Sequence, residues 1–346
     1  MNGQPFYIGS VRVDPPLLQA PMAGYTNYAF RAFLRRLGGV GLVWTEMVSA
    51  QGLLHRRRYG KGLPEQLWGV KEEARPLAVQ IWENDPGRLA ETAAWLVEEL
   101  HISVVDINFG CPARSVAQKA QSGAYLLQFP DRIGAIVERV AAACRPTPVT
   151  AKIRLGPSRQ QITAPEVAQA VEQAGGAALI VHGRTTQQRF AGRADWEAIA
   201  KLKSYLKRIP LIGNGDLRTV ADVVAAFDHW PVDGLMIGRA ALRRPWLFQQ
   251  AAAALQGQPI PPDPTPLQRR QWLLEYYDLI QQQHGPKKAT VLMRRYAPLF
   301  VEGLPHARSF RCQVCQAAKP EEFFPLVDQF FANVGCSGIH STPRVG

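Results

Sequence analysis

The segment Val104-Val-Asp-Ile-Asn-Phe-Gly-Cys-Pro112 sets one thiol directly after a strand-like run that carries two polar side chains among apolar ones. With a side-chain period of two, Asp106 and Asn108 share one face while Val105, Ile107 and Phe109 share the other. Two hydrogen-bonding groups therefore point into an otherwise apolar interior, and burying them calls for partners, of which a bound ligand is one source. Gly110 permits a tight turn and Pro112 fixes the backbone beyond it, so Cys111 is held in place and becomes a candidate for chemistry rather than packing. Other short apolar runs also end on polar or small groups: Pro21-Met22-Ala23, Glu46, Gln80, Lys152, His182 with Arg184, Asn214-Gly215-Asp216, and Gly238-Arg239. Gly213-Asn-Gly-Asp216 and Gly238-Arg239 suit an anion, because glycines let backbone N–H groups approach it and an arginine can bind it in bidentate fashion.

The elements that must position these residues repeat. Eight apolar runs occur at 17–21, 42–47, 77–82, 104–109, 149–153, 178–182, 210–213 and 234–237, separated by amphipathic or Ala-rich segments. That alternation is the pattern of βα units on a parallel sheet. Eight units in about 250 residues point to an α/β fold of the closed (β/α)₈ TIM-barrel type, whose sites sit at the carboxyl ends of the strands. No GxGxxG follows the first strand and no P-loop is present, so neither a Rossmann nor an NTPase site is expected. In Thr150-Ala-Lys-Ile-Arg154 the lysine shares a face with Thr150 and Arg154 near a strand end. A cation inside a barrel needs a reason, and an anionic cofactor such as a reduced flavin supplies one.

The proline-dense stretch 257–266 cannot continue a helix and separates a barrel domain, residues 1–256, from a helical domain over 267–335. Helices are expected over 268–283, 287–297, 306–317 and 320–333, with Phe324, Val327 and Phe331 in the core and Pro298 ending or kinking the second. Residues 336–346 read as a disordered tail.

The chain has 346 residues, 47% of them hydrophobic and 20% charged, and no apolar run approaches the ~20 residues that span a bilayer. The amino terminus has no secretory pattern, so a cytoplasmic protein is expected, with no membrane and no obligate protein partner. Five cysteines argue against a disulfide framework. Cys312-Gln-Val-Cys315 is one CxxC pair where zinc ribbons carry two, so helix-borne core thiols are expected and no metal. A net charge of +12 favours an anionic partner such as nucleic acid. The excess is spread along the chain, its densest cluster being His55-Arg-Arg-Arg-Tyr59 in an expected loop.

Taken together, Ala20-Pro-Met-Ala-Gly24, Thr45-Glu-Met47, Val79-Gln80, Asp106 to Pro112, Ala151-Lys-Ile-Arg154, Val181-His-Gly-Arg-Thr185, Ala194-Asp-Trp196, Gly213-Asn-Gly-Asp216 and Met236 to Trp246 resemble the tRNA-dihydrouridine synthases, most closely their bacterial B-type branch. The resemblance spans nearly the whole chain. It implies FMN held by Pro21, Met22, Ala23, Gln80, Asn108, Lys152, Asn214, Gly215, Asp216, Gly238 and Arg239, with His182 and Arg184 bordering the flavin and the target base. It further implies that NADPH reduces the flavin, that hydride then reaches C6 of a tRNA uridine, and that Cys111 protonates C5. The helical domain would grip tRNA, with Arg294, Arg295, Arg308 and Arg311 as contact candidates. The sequence departs from the family pattern at Gln118–Tyr125, which is usually richer in glycine, and at Pro298. Two other readings are an FMN barrel dehydrogenase of a free small molecule, akin to dihydroorotate dehydrogenases, and a non-catalytic tRNA-binding flavoprotein. The helical domain and basic charge speak against the first, Cys111 and Lys152 against the second.

Overall fold

The computed structural model describes residues 3–337, and the chain divides into two compact units, Met1–Ala241 with Leu247–Ile260, and Leu242–Trp246 with Pro261–Gly346. In the first unit an antiparallel hairpin, β1 (Phe6–Ile8) and β2 (Val11–Val13), precedes a parallel sheet of β3 (Leu17–Gln19), β4 (Val43–Trp44), β5 (Val48–Ser49), β6 (Leu77–Trp82), β7 (Val104–Phe109), β8 (Val149–Arg154), β9 (Ala178–His182), β10 (Leu211–Asn214) and β11 (Gly234–Ile237). The order is β3-β11-β10-β9-β8-β7-β6-β4, with β5 also beside β6. The bridge Leu18↔Leu42, with Gln19 N donating to Leu42 O at 3.0 Å, joins the two ends into a (β/α)₈ TIM barrel. The second of the eight expected runs is split into β4 and β5 around Thr45–Met47.

Strands β6 to β11 are buried along almost their full length, as continuous apolar runs flanked by helices must be. Around them lie α1 (Tyr28–Leu37), α2 (Ala50–Arg58), α3 (Pro86–Leu100), α4 (Pro130–Cys144), α5 (Ala164–Gln173), α6 (Trp196–Lys201), α7 (Val220–His229), α8 (Arg239–Arg243) and α9 (Leu247–Leu255). At the amino-terminal mouth, Ile8 and Val13 of the hairpin pack with Leu18, Ala78, Val104, Ala178 and Ile212, plugging that end with apolar side chains. The cluster His55–Tyr59, expected in a loop, lies mostly within α2. Ser49 caps that helix by accepting from Gly52 N, and arginines in its last turn complement the helix dipole.

The second unit carries α10 (Pro266–His284), α11 (Pro286–Phe300), α12 (Ala307–Val314) and α13 (Pro320–Ser337). Thr265 and Gln268 form a reciprocal capping box that starts α10. Arg244 and Trp246 Nε1 both bind Asp263, and Arg269 stacks on Trp246 at 4.8 Å, which accounts for 242–246 grouping with this unit. Phe323 is fully buried and stacks on Tyr277 at 5.2 Å, whereas Phe324, expected in the core, is only half-buried. Pro298 does not end α11, which continues to Phe300. Its missing N–H would have served Arg294 O, and that carbonyl instead receives the Cys315 thiol at 3.6 Å. Cys312 and Cys315 are both exposed and are not the core thiols expected. Residues 338–346, most of the expected tail, lie outside the described residues, as does the side chain of Cys336. Among the described residues no helix is long and apolar enough to cross a membrane, and no three His, Cys, Asp or Glu side chains cluster as metal ligands.

One buried ion pair fixes the first rim loop. Arg31, on α1, grips Glu73 through Nε at 3.0 Å and Nη2 at 2.5 Å, and its Nη1 donates to Thr26 O at 2.7 Å. Thr26 Oγ1 in turn accepts from Met22 N at 3.1 Å. Both charged side chains are almost wholly out of water, and Arg35 Nε stands 3.7 Å from the same carboxylate, so removing Glu73 leaves two guanidiniums uncompensated. Glu73→Ala is expected to cost about 3–5 kcal/mol. Replacing both Arg31 and Glu73 by leucine should cost much less, read from thermal unfolding of the barrel, and an equal loss in both variants would refute the account.

Candidate active site

The parallel register brings the polar strand ends onto one rim. Gln80 on β6, Asp106 on β7 and Thr150 on β8 lie abreast, and one layer nearer the carboxyl ends Asn108 lies beside Lys152. His182 on β9 is abreast of both Arg154 on β8 and Asn214 on β10, and Asn214 of Met236 on β11. Pro21, Met22 and Ala23 form the turn after β3, and Gly24 N of that turn donates to the Glu46 carboxylate. Gly215, Asp216, Gly238 and Arg239 complete the ring just beyond β10 and β11.

Cys111 is half-buried, and its loop is pinned on three sides. Asn108 Oδ1 accepts from Gly110 N at 3.1 Å and from Cys111 N at 2.8 Å. Arg154 Nε donates to Gly110 O at 2.8 Å, and Cys111 O accepts from Ala124 N at 3.1 Å. Gly123 lies at φ +57°, and a Cβ there would come within 2.9 Å of Cys111 O, so the following turn can lie this close only with glycine. Tyr125, the bulky departure in this segment, sits in the same turn and packs on Phe129 at 5.6 Å. Asp106 and Asn108 do have partners, but protein ones: Asp106 accepts from Thr150 Oγ1 and Gln80 Nε2, both at 2.7 Å, and Asn108 Nδ2 donates to Gln80 Oε1 at 2.7 Å.

The electrostatics are dominated by cations. Burial pushes the Asp106 carboxyl upward against hydrogen bonds from Thr150 and Gln80. It pushes Lys152 downward, helped by the charge of Arg154. It also raises the Cys111 thiol, which keeps that group protonated at neutral pH. Lys152 Nζ donates to Asn214 Oδ1 at 3.2 Å, and the buried Asp106 carboxylate raises its proton affinity through space. A half-buried ammonium hydrogen-bonded to a neutral amide fits an anionic group such as a flavin ring. His182 is held neutral, its pKa well below the ordinary value through burial and the cations Lys152, Arg154, Arg184 and Arg239. Its Nε2 is 3.2 Å from Arg184 Nη1, which can only donate, so Nε2 is the acceptor and Nδ1 carries the proton.

Arg184 is 1% exposed and its guanidinium is committed to protein: Asp216 at 2.7–2.8 Å, Gly192 O at 2.6 Å, Ala191 O at 3.2 Å and His182. It braces the loop after β9 rather than opening onto the rim. Asp216 is likewise tied to Ala194 N at 2.7 Å, while Arg239, 54% exposed, lies 3.8 Å from the same carboxylate. Two residues that the sequence reading left without a role belong here. Arg154 joins the Cys111 loop to Thr185 O and Arg189 O, and its signal was an inward-facing arginine two positions after Lys152. Phe190, an exposed aromatic, lies under Arg239 at 4.7 Å and Arg154 at 5.7 Å. Among the arginines expected to touch RNA, Arg294 donates to Ala317 O and Gln316 O and Arg311 to Ala307 O at 3.3 Å, and Arg295, Arg308 and Arg311 are exposed.

Comparison with known proteins places this geometry in a family. A family model described as "Dihydrouridine synthase (Dus)" matches residues 18–334. The chain is similar to a probable tRNA-dihydrouridine synthase of Rhodobacter capsulatus, 34% identical over 94% of this chain and 97% of the relative. It is also similar to tRNA-dihydrouridine synthase B of Pseudomonas aeruginosa, 36% identical over 94% and 95%. Among solved structures it shares its fold with an old yellow enzyme homologue from Zymomonas mobilis, at TM-score 0.53 and 12% identity over 76% of this chain and 94% of that one. Morphinone reductase in complex with tetrahydroNAD is alike at TM-score 0.52 and 13% identity, over 77% and 93%. A match over nearly the full length, at a third of positions identical, with the motif residues gathered on one rim, shows that the chain belongs to the dihydrouridine synthase family.

Proposed function

We propose that this protein is a flavin-dependent tRNA-dihydrouridine synthase, a cytoplasmic oxidoreductase that uses FMN and NADPH to reduce the C5–C6 double bond of one tRNA uridine. The observation that carries the reading is a pinned thiol, Cys111, on the same rim as a half-buried ammonium, Lys152, whose hydrogen bond goes to a neutral amide. Lys152 and Asn214 would hold the ring's electron-rich edge, with Gln80, Asn108 and the Pro21–Ala23 turn around it. Gly215, Asp216, Gly238 and Arg239 would hold the phosphate end, where Arg239 is the accessible cation. Arg184 serves that site from behind, by fixing Asp216 and the loop that carries Phe190.

Bound FMN would supply hydride chemistry toward C6 of the uridine, with NADPH as the source of the electrons. The protein's own residues do the rest. Cys111 holds its proton because burial raises its pKa, and a protonated thiol is the form that can deliver to C5. Neutral His182 offers hydrogen bonds without adding another positive charge to a rim already crowded with cations. The target base must leave the stacked RNA to reach such a rim, as bases do in other enzymes that modify them. The basic surface and the exposed Arg295, Arg308 and Arg311 would meet the tRNA backbone. The reading is tested by mass spectrometry of tRNA from cells lacking the gene. One uridine should lose its two added hydrogens, whereas unchanged tRNA with altered free pyrimidines would favour a small-molecule dehydrogenase.

Cys111→Ala should retain flavin and oxidise NADPH at the normal rate, yet lose about 10²–10⁴-fold in uridine reduction. Dihydrouridine formation at the normal rate would remove the thiol's role. Lys152→Ala and Arg239→Ala should each weaken FMN retention about 10- to 100-fold, read from flavin absorbance after gel filtration. Full occupancy in both would displace the site. Because folded His182 resists protonation, the unfolded chain binds the extra proton once pH falls below about 6.5, and stability drops with it. The melting-temperature gap between wild type and His182→Asn should therefore shift in the variant's favour as pH falls from about 7.5 to 5.5. A constant gap would mean that His182 titrates normally.

A further inference from the structure

Asp106 lies too deep to meet a substrate, at 0% exposure, yet it heads an unbroken chain of hydrogen bonds that ends on the backbone of Cys111. Thr150 Oγ1 donates to Asp106 Oδ1, Gln80 Nε2 to Asp106 Oδ2, Asn108 Nδ2 to Gln80 Oε1, and Gly110 and Cys111 N–H to Asn108 Oδ1. Primary amides can turn end over end, and nothing in their shape distinguishes the two poses. Two backbone N–H groups fix the pose from one end of the chain, and at the other it is fixed by a carboxylate. It can only accept, so Gln80 must show it the NH₂ end, which leaves Oε1 toward Asn108. Asn108 must then show NH₂ to Gln80 and keep its oxygen for the two backbone N–H groups. Turning either amide over would set oxygen against oxygen or N–H against N–H in a site closed to water, where mismatched polar groups are costly.

We propose that Asp106 is a positioning residue of the reaction, which through Gln80 and Asn108 orients the amides of the rim and sets the place of the Cys111 thiol. The proposal rests on the synthase reading for its catalytic consequence, but the geometric part stands on this chain alone. The register of β6, β7 and β8 is what makes it possible, because it places Gln80, Asp106 and Thr150 side by side. Thr150 gives the chain a second handle: a hydroxyl accepts as readily as it donates, so it can adapt to an amide in place of the carboxylate.

The test compares Asp106→Leu, Asp106→Asn, Thr150→Val and the double variant Asp106→Asn/Thr150→Val, with two readouts. The first is the iodoacetamide alkylation rate of Cys111 in the flavin-free protein, followed by peptide mass spectrometry so that the exposed Cys312 and Cys315 are counted separately. The second is the rate of each half-reaction, NADPH oxidation and uridine reduction, in the FMN-loaded enzyme. Asp106→Asn should stay within about threefold of wild type, because its NH₂ can face Thr150 and its oxygen Gln80. Asp106→Leu should change the alkylation rate severalfold and cut uridine reduction on the order of 10²-fold, with a smaller loss of NADPH oxidation because Gln80 and Asn108 also border the flavin. Thr150→Val alone should do little, and the double variant should fall to the level of Asp106→Leu, because the NH₂ of its asparagine is then buried without an acceptor.

Asp106→Leu with normal alkylation and normal uridine reduction would overturn the proposal, as would a double variant no worse than Asp106→Asn. If Asp106→Leu does not fold, the double variant decides. A wild-type enzyme that forms no dihydrouridine would fail the functional reading, whereas the alkylation series tests the relay without cofactor or RNA.

Discussion

A closed parallel barrel leaves its inward-facing strand-end side chains no exit except one rim, and that confinement governs everything else in this molecule. Polar groups there are flanked by strands on both sides and must satisfy one another or a ligand. With the opposite mouth plugged by the apolar hairpin residues Ile8 and Val13, the rim is where the interior opens. On β6, β7 and β8 the solution is a protein network, from Thr150 through Asp106, Gln80 and Asn108 to the Cys111 loop. On β8 to β10 it is sparser: Lys152 donates to the neutral Asn214, with the Asp106 carboxylate acting on it through space.

The same confinement explains why the rim divides its cations into two kinds. Arg31, Arg154 and Arg184 are buried and bind backbone carbonyls or carboxylates, so they act as cross-struts: Arg31 behind the Met22 turn, Arg154 between the Cys111 loop and the loop after β9, Arg184 between that loop and Asp216. Lys152 and Arg239 are less enclosed, one half-buried and one exposed. Small residues set the spacing between struts. A Cβ at Gly213 would come within 2.4 Å of the Trp196 ring, whose Nε1 donates to Gly215 O at 3.1 Å, so this glycine and this tryptophan fit only as a pair.

Much of this was legible in the residues. Eight apolar runs bounded by helical segments specify the barrel because parallel strands buried on both faces must read as continuous apolar stretches. Their polar ends mark the rim for the same reason, since Gln80, Lys152 and Asn214 have no other excuse for being there. What could not be read was partnership. Asp106 looks like a ligand-seeking carboxylate until the register shows Gln80 and Thr150 beside it, and Arg184 looks like a rim cation until Asp216 and two carbonyls close around it. Pro298 reads as a helix breaker because the thiol that serves Arg294 O comes from Cys315 on another segment, seventeen residues on. The cluster at His55–Tyr59 reads as a loop because its helix is set by the Ser49 cap and the dipole, not by an apolar stripe. All but the last of these concern a contact made at long range, which local spacing does not encode.

The central claim is that one rim gathers a flavin and the Cys111 thiol around a single uridine of tRNA. Its most direct test is to incubate the purified protein with FMN, NADPH and an unmodified tRNA transcript and to map the product by mass spectrometry. The account predicts a gain of two hydrogens at one uridine, dependent on both FMN and NADPH. A folded protein that takes up no FMN, or that consumes NADPH and leaves every uridine at its original mass, would contradict it.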